Sequence, residues 1–261
     1  MGELGVIQYD IVVNVFSLTI AAMGVAAAFF LMQRNEVLPR YKMSLTLLGL
    51  ITGVAAYFQY RLYGSWVEAF SVVSNTLRSS GTSFNDGLRY AEWLLTVPLL
   101  LVAFVHVLDI SAQQARLRST VLSILALEMI VLRYPGQLSS AAEGRWLWWG
   151  VALVPAMIIA YQLYAGLSSA INTEPVESRS LVRKARMLLV LTGAAYPVLY
   201  LFPLVGVTGG IPYTGMQVGY AVADILSKVV FGLMLFRIAA IKSVPLEEVP
   251  VLAGTLRAVK G

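Results

Sequence analysis

The sequence contains no cysteine, only one histidine and little charge. Without cysteine the chain can form neither disulfides nor thiolate metal sites, and one histidine cannot build a histidine-rich metal cluster. Only 13% of the 261 residues are charged and 58% are apolar, whereas soluble domains carry roughly 25% charge. This composition is typical of an integral membrane protein. We expect no metal site, no nucleic-acid partner and no enzymatic activity.

Long apolar runs dominate the chain instead. Seven segments have the length or composition of membrane helices, and none alternates as a barrel strand would. The fourth is short and extends at most to Pro135; the first is too long for a signal peptide. The sequence therefore predicts an all-α membrane protein, a seven-transmembrane helix bundle that forms a single domain over residues 1–261. The segments are 12–32, 43–63, 88–108, 120–131, 146–167, 187–204 and 216–236.

Lysine and arginine are distributed unequally between the two sides of these spans, which predicts orientation because positive loops stay in the cytoplasm. One side carries only Arg61, Arg78, Arg133 and Arg145. The other side, predicted to be cytoplasmic, carries Arg34, Arg40, Lys42, Arg116, Arg118, Arg179, Arg183, Lys184, Arg186, Arg237, Lys242, Arg257 and Lys260. The amino terminus is then outside and the carboxyl terminus inside. The longest outer loop, 64–87, has the composition of a turn or short hairpin.

The last apolar segment contains a lysine near its centre, Lys228, and an aspartate four residues earlier, Asp224. A charged ammonium at that depth is costly unless it is paired or chemically converted. The four-residue spacing puts both side chains on one helix face. A buried lysine can form a Schiff base with an aldehyde, and a protonated imine needs a carboxylate nearby. A purely structural ion pair is the alternative interpretation.

The third segment has a second polar face. Arg89, Glu92, Thr96, Leu100 and Ala103 recur at three- and four-residue steps, with Glu92 about one turn deeper than Arg89. A carboxylate in a membrane span normally faces the bundle interior and has a partner. Together with Asp224 and the lysine, this face indicates a buried set of charges that can hold or exchange a proton.

Four motifs in order along the chain resemble those of the microbial rhodopsin family. They are Arg89-Tyr90-x-Glu92-Trp93-x-x-Thr96-x-Pro98-Leu99-Leu100, Arg145-Trp-Leu-Trp148-Trp149, Ala195-Tyr196-Pro197-Val-Leu-Tyr200 and Asp224-x-x-x-Lys228. The resemblance runs from the first span to the seventh.

This resemblance implies that Lys228 carries all-trans retinal as a protonated Schiff base, with Glu92 and Asp224 as counterions. Light would isomerise the retinal, and the proton would pass to Glu92, where the family usually has aspartate. Thr96 would hydrogen-bond this carboxylate or lie beside the polyene, and Arg89 would direct released protons outward. The remaining retinal-binding residues would be Tyr90, Trp93, Leu100, Trp149, Gly193, Tyr196, Pro197, Tyr200 and Ser227.

The chain departs from the family pattern at several positions. Ala103 stands where related proton pumps carry the acid that reloads the imine from the cytoplasm; His106 could replace it, although an interfacial histidine is the simpler interpretation. Gly193 stands where a tryptophan usually presses on the retinal. No counterpart is evident for the family's outer glutamates. Glu128, in the fourth span, is a candidate buried acid near the chromophore or a partner of another polar group.

Several functions remain open. The family resemblance implies a multi-pass protein of the plasma membrane, in contact with lipid and protons and expected to form a homo-oligomer. Glu92 favours outward proton pumping, slow or weak because of Ala103, and argues against chloride transport. The missing inner donor equally suits a sensory photoreceptor with a long-lived signalling state and a transducer partner. A light-gated channel, or a helix bundle without retinal, is the third hypothesis.

Overall fold

The computed structural model describes residues 4–74 and 76–244, and these residues form a bundle of seven helices. This confirms the predicted seven-helix architecture. The single-segment helices are α1 Val6–Gln33, α2 Lys42–Ala69, α3 Gly87–Val107, α4 Ala112–Leu138 and α6 Val176–Leu204. Helix α5 comprises Ala142–Tyr161, a π-helical turn Gln162–Gly166 and a short segment Ser168–Asn172. Helix α7 comprises Gly210–Asp224, a π-helical segment Ile225–Val230 and Phe231–Ile241.

Short elements connect the first three helices. Two 3-10 turns, Arg34–Glu36 and Pro39–Tyr41, lie between α1 and α2. Strands β1 Phe70–Val73 and β2 Thr76–Ser79 pair antiparallel between α2 and α3. The outer loop thus contains the short hairpin that its composition predicted.

Apart from α3, the helices are longer than the apolar segments that predicted them. Helix α4 begins at Ala112 and α6 at Val176, eight and eleven residues before the predicted starts. The added turns carry arginines such as Arg116 and Arg179. Hydropathy detects only the part of a helix that suits hydrocarbon, whereas the helix itself continues into the polar interface.

Consecutive helices pack against each other, and α7 closes the bundle by packing against α6 and α1 as well as α2 and α3. The inner half of the bundle is filled by a large apolar cluster that includes Phe30, Phe104, Phe231 and Leu235, all fully buried. Gly232 lets α7 approach α1, because a Cβ there would lie 2.5 Å from the Phe30 ring. Among the described residues, this half of the bundle is packed mainly with apolar side chains.

Three of the four arginines assigned to the outer side lie within helices rather than in loops. Arg61 belongs to α2, Arg133 to α4 and Arg145 to α5. Most of the residues counted on the inner side also lie within helices, so restricting the count to loops does not enlarge the charge asymmetry. Arg257 and Lys260, counted on the inner side, lie outside the described residues, so the orientation stays a prediction.

Candidate functional site

Lys228 and two carboxylates from two helices meet at the centre of the bundle. Lys228 Nζ lies 2.8 Å from Glu92 Oε1 of α3 and donates a hydrogen bond to Asp224 Oδ1 of α7. The side chains of both acids are fully buried, and that of Lys228 is 3% exposed. Desolvation on this scale requires mutual compensation of the charges. The contact expected from the four-residue spacing of Asp224 and Lys228 is present.

The backbone that carries Lys228 is not regular α-helix. Lys228 lies within the π-helical segment Ile225–Val230, which follows directly after Asp224. π-Helical turns are uncommon and are found frequently at functional sites. Sequence spacing gave no signal of this local widening of α7.

Asp224 accepts three hydrogen bonds, one of them from its charge partner. Tyr196 OH donates to Oδ1 at 2.7 Å, and Gln59 Nε2 donates to Oδ2 at 2.8 Å. Lys228 provides the third. Bonds of this type stabilise the ionised carboxylate. Gln59, on α2, was missed from the sequence, although a buried amide in an apolar span is itself a signal of a polar partner.

The carboxylate of Glu92 has fewer hydrogen-bond partners than that of Asp224. Within residues 4–74 and 76–244, neither of its carboxylate oxygens has a hydrogen-bond partner of good geometry, and its contact is the ion pair with Lys228. Thr96 Oγ1 donates at 3.0 Å to the backbone carbonyl of Glu92, not to the carboxylate. Of the two positions expected for Thr96, the structure favours the one beside the cavity described next.

An elongated cavity of about 340 Å³ leads away from Lys228 between α3, α4, α5, α6 and α7. Its walls are apolar and aromatic, which suits a flat conjugated chain. The predicted pocket residues that line it are Tyr90, Trp93, Leu100, Trp149, Gly193, Tyr196, Pro197 and Ser227. Trp149 Nε1 donates to the Pro197 carbonyl at 3.1 Å and so joins α5 to α6 beside the cavity.

Tyr200 differs from the prediction. Its ring does not line this cavity but lines a wide vestibule at the outer end of the bundle. Its hydroxyl donates a hydrogen bond to the Gly136 carbonyl at 3.1 Å, and the Arg133 guanidinium stacks on its ring. The cation–π contact and the hydrogen bond to α4 hold it on that side. Arg133 itself reaches the cavity wall, a contact that the sequence did not indicate.

The cavity reaches the lipid-facing surface beside Gly193. Gly193, Ala194 and Met157 line the cavity and are also exposed on the outside of the bundle. A Cβ added at Gly193 would meet nothing within 4 Å. The extra room expected from a glycine at this position is therefore present, and it opens between α5 and α6.

Arg89 lies on the outer side of Glu92, as the face of α3 predicted, but its direct partners are others. Its Nη2 donates to Gln217 Oε1 at 2.6 Å, and its Nε lies 3.5 Å from Asp86 Oδ1. Burial raises the pKa of the Asp86 carboxyl, and the Arg89 guanidinium only partly opposes this. Asp86 and Arg89 line a wide vestibule at the outer end of the bundle. Sequence reasoning missed both Asp86 and Gln217.

Three further candidates lie away from Lys228. Ala103 is fully buried, and its carbonyl accepts a hydrogen bond from Ser44 at 2.9 Å. His106 is half-buried with Nδ1 3.0 Å from the Val102 carbonyl, one turn back on its own helix. Glu128 is exposed on the side of α4 that points away from the bundle. Its interpretation as a buried acid is therefore wrong. Its helix is rotated so that Met129 and Ile130, not Glu128, line the cavity.

Fold and site together define a seven-helix membrane protein with a buried lysine at the end of an apolar cavity. The family model described as "Bacteriorhodopsin-like protein" matches residues 12–242. The chain belongs to this family, that of the microbial rhodopsins, as its motifs indicated.

Individual relatives can be aligned with most of the chain. The green-light absorbing proteorhodopsin of Gamma-proteobacterium EBAC31A08 is 30% identical, with 87% of this chain and 86% of the relative covered. Among solved structures, xanthorhodopsin, described as a light-driven ion pump with dual chromophore, has a TM-score of 0.89 at 35% identity, covering 93% of this chain and 97% of that one. Thermophilic rhodopsin has a TM-score of 0.90 at 35% identity, covering 93% and 98%.

Membership of this family makes the chain a multi-pass membrane protein whose cofactor is retinal, bound as a Schiff base to a lysine. The residues present fit that group. The cavity ends at a lysine amine, its walls are apolar and aromatic, and two carboxylates lie beside the amine to balance a positive charge.

The opening at Gly193 leads to a testable expectation for Gly193→Trp. Retinal dissolves in the bilayer, and an indole at this position would fill the space between α5 and α6. We expect retinal added to apoprotein in lipid vesicles to form the visible pigment several-fold more slowly than in the wild type, with a similar final absorbance.

The matched control is Gly24→Trp, which adds the same indole to an exposed position on α1 where a Cβ also meets nothing within 4 Å. It should leave the rate of pigment formation unchanged. An unaltered rate in Gly193→Trp would mean that the chromophore enters by another route.

Proposed function

We propose that this protein is a light-driven pump that moves protons outward, with retinal attached at Lys228, Glu92 as proton acceptor and Asp224 as permanent counter-charge. The observation that carries the proposal is the unequal hydrogen bonding of the two acids beside Lys228 Nζ. Its relatives include proteins named as proteorhodopsins and a structure described as a light-driven ion pump, which supports light-driven ion transport in general.

Retinal, when bound, supplies visible-light absorption and an isomerisation that re-aims the proton at the lysine nitrogen. The chain provides the surroundings of that event. Tyr196 and Trp93, whose ring centroids lie 5.0 Å apart, line the cavity together with Lys228. Burial strengthens the electrostatic interactions between the nitrogen and the two fully buried acids.

Glu92 is the acid suited to receive the proton. Asp224 already accepts bonds from Tyr196, Gln59 and Lys228, and each of these bonds stabilises its ionised form. Glu92 Oε2 has no partner to lose within the described part of the chain. Protonation of Glu92 also removes one of two adjacent buried negative charges, which favours the neutral form.

The outer side offers a route for release. Arg89 lies between Glu92 and the vestibule, where Asp86 and Gln217 are its partners. Movement of the guanidinium toward Asp86 would favour an ionised carboxylate there, so that a proton leaving Glu92 would pass on to the vestibule. With the predicted orientation, in which the amino terminus is outside, protons released into the vestibule leave the cell.

The inner side offers no comparable route. Among the described residues, the next buried carboxylate inward of Lys228 is Glu174, which is paired with Lys242 beneath the end of α3. Between them lies the apolar cluster around Phe104 and Phe231. Return of a proton to the Lys228 nitrogen should therefore be slow. This apolar half is also the observation that favours the second candidate function, a sensory photoreceptor acting through a transducer.

The test is illumination of weakly buffered cells that express the protein with added retinal. Sustained acidification of the medium, abolished by a protonophore, is the expected result. A photocycle of seconds without acidification would favour the sensor, and a photocurrent that reverses with membrane voltage would indicate a channel. Inward proton movement would overturn the predicted orientation or the assignment of Glu92.

A further inference from the structure

One arginine lies in the wall of the largely apolar cavity. Arg133 of α4 lines it together with Met129 and Ile130 of the same helix. It does not line the outer vestibule, although Tyr134 and Gln137, which follow it on α4, do. An ionisable residue inside a membrane bundle is by default a functional residue with a partner. We therefore expect a polar partner at the cavity wall beside Arg133.

The described residues provide no such partner. Both terminal nitrogens of Arg133, Nη1 and Nη2, are buried without a hydrogen-bond acceptor within residues 4–74 and 76–244, and no ion pair there includes this side chain. The guanidinium stacks on the Tyr200 ring, which stabilises its charge but accepts none of the hydrogen bonds that it can donate in its own plane. A buried donor without an acceptor is costly. The position thus favours a ligand atom that accepts hydrogen bonds.

The packing of α4 against α5 fixes the position of the guanidinium. Gly136 provides the space, because a Cβ there would lie 2.7 Å from Arg133 Nη1 and 3.0 Å from the Cβ of Trp148 on α5. The Gly136 carbonyl also accepts a hydrogen bond from the Tyr200 hydroxyl at 3.1 Å, so the ring on which the guanidinium stacks is bound to the same helix. The donors of Arg133 are therefore held at the corner of the cavity between α4 and α5.

This corner is on the far side of the cavity from Lys228. Helix α4 packs against α3 and α5, whereas α7, which carries Lys228, packs against α6, α1, α2 and α3. A molecule that is attached to the lysine amine and extends along the cavity therefore has its free end near α4 and α5. In retinal, the aldehyde is at one end of the conjugated chain and the hydrocarbon ring is at the other.

We propose that Arg133 makes this site selective for a retinal whose ring carries a ketone, with the guanidinium donating a hydrogen bond to the ketone oxygen. The inference rests on the proposed attachment of retinal at Lys228, which directs the ring to the corner between α4 and α5. A ketone matches the site because arginine has only donors and a carbonyl oxygen only accepts, whereas a hydroxyl group would bring a further donor. Sites built to hydrogen-bond a polar group of a ligand discriminate strongly against the analogue that lacks it.

A competition experiment tests the selectivity. Apoprotein in lipid vesicles is given an equimolar excess of all-trans-retinal and its 4-oxo derivative, and the bound chromophore is then extracted and quantified by chromatography. The wild type should bind the 4-oxo derivative in preference to retinal. In Arg133→Met, whose side chain has no donor, the ratio of 4-oxo derivative to retinal should fall at least about tenfold, because a hydrogen bond from a charged group is lost.

Arg145→Met is the matched control. Arg145 of α5 lines the outer vestibule but not the cavity, and it donates to the Ser139 carbonyl at 2.8 Å. This variant should keep the wild-type ratio, and pigment formed with retinal alone shows that each variant is folded. No preference in the wild type would mean that water or a small ion supplies the acceptor, and an unchanged ratio in Arg133→Met would assign the selectivity to other residues; either result overturns the proposal. Absence of pigment with both aldehydes would instead contradict attachment of retinal itself, and this inference with it.

Infrared spectroscopy detects the hydrogen bond directly. With the 4-oxo derivative bound, the stretching band of the ring ketone should lie at lower frequency in the wild type than in Arg133→Met, because a donated hydrogen bond weakens the carbonyl bond. Isotopic labelling of the ketone oxygen identifies the band. A purely steric role of Arg133 would leave its frequency unchanged, and equal frequencies in the two proteins would refute contact between the guanidinium and the ring oxygen.

Discussion

Lys228→Ala is expected to give a protein that stays colourless when retinal is added. The variant removes the amine at the end of the cavity, so the chromophore has no covalent attachment. It also leaves Glu92 and Asp224 buried without their cation, which costs about 3–5 kcal/mol when one partner of a buried pair is removed. Absorption spectra before and after addition of retinal measure the effect.

The loss of colour must be separated from a failure to fold. The double variant Lys228→Ala with Glu92→Gln removes one of the unpaired charges and should recover part of the lost thermal stability while remaining colourless. Lys242→Ala is the matched control, since Lys242 directly follows α7 and its side chain is as buried as that of Lys228 but is paired with Glu174 and does not line the cavity. It should keep its colour. A visible band in Lys228→Ala would exclude this lysine as the attachment site.

Glu92→Gln should shift the visible band to the red and impair proton transfer. The positive nitrogen loses a negative charge that lies 2.8 Å from Lys228 Nζ in the structure, so its charge spreads further along the conjugated chain. A positioned proton acceptor typically contributes roughly 10²–10⁴-fold to a proton-transfer step. We expect the light-driven acidification to fall by at least this lower bound, measured beside the absorption spectrum.

Glu174→Gln provides the comparison, because it neutralises a second fully buried glutamate, at the inner end of the bundle. Its band should not move. If the band of Glu92→Gln also stays in place, Asp224 with its three hydrogen bonds is the main counter-charge. Retained acidification in that variant would remove Glu92 from the transfer step.

The central charges could be predicted from the sequence because each of them is expensive in a membrane span. Lys228, Asp224 and Glu92 stand in apolar segments, and helical spacing fixes which of them share a face. The cavity wall was predictable to a similar extent, since eight of its residues belong to motifs shared with a known family. Their roles in proton transfer stay predictions for the experiments above.

The partners of these charges could not be predicted in the same way. Gln59 reaches Asp224 from a helix 165 positions earlier in the chain. Gln217 reaches Arg89 from a helix 128 positions later. Such pairs depend on how helices are rotated and which ones are neighbours. One sequence contains the period of a helix but not the direction its polar face takes in the bundle.

Glu128 and Tyr200 are residues whose positions in the bundle were predicted incorrectly for the same reason. Tyr200 was assigned to the retinal pocket by its motif, and Glu128 was a candidate for a buried acid near the chromophore or paired with another polar group. A rotation of roughly 100° per residue separates a cavity-lining position from an exposed one, and packing of α4 against α3 and α5 decided that Glu128 faces outward.

By itself, the sequence determined that this chain crosses a membrane seven times, that it belongs with retinal proteins, and that Lys228, Asp224 and Glu92 lie inside. Apolar length and the cost of charge in hydrocarbon are properties of composition and spacing. Only the tertiary structure decided that Asp224 accepts three hydrogen bonds while the described residues give Glu92 none, that the cavity opens beside Gly193, and that Glu128 is exposed on α4. These features arise where separate helices meet, and the geometry of their contacts follows from packing the whole bundle.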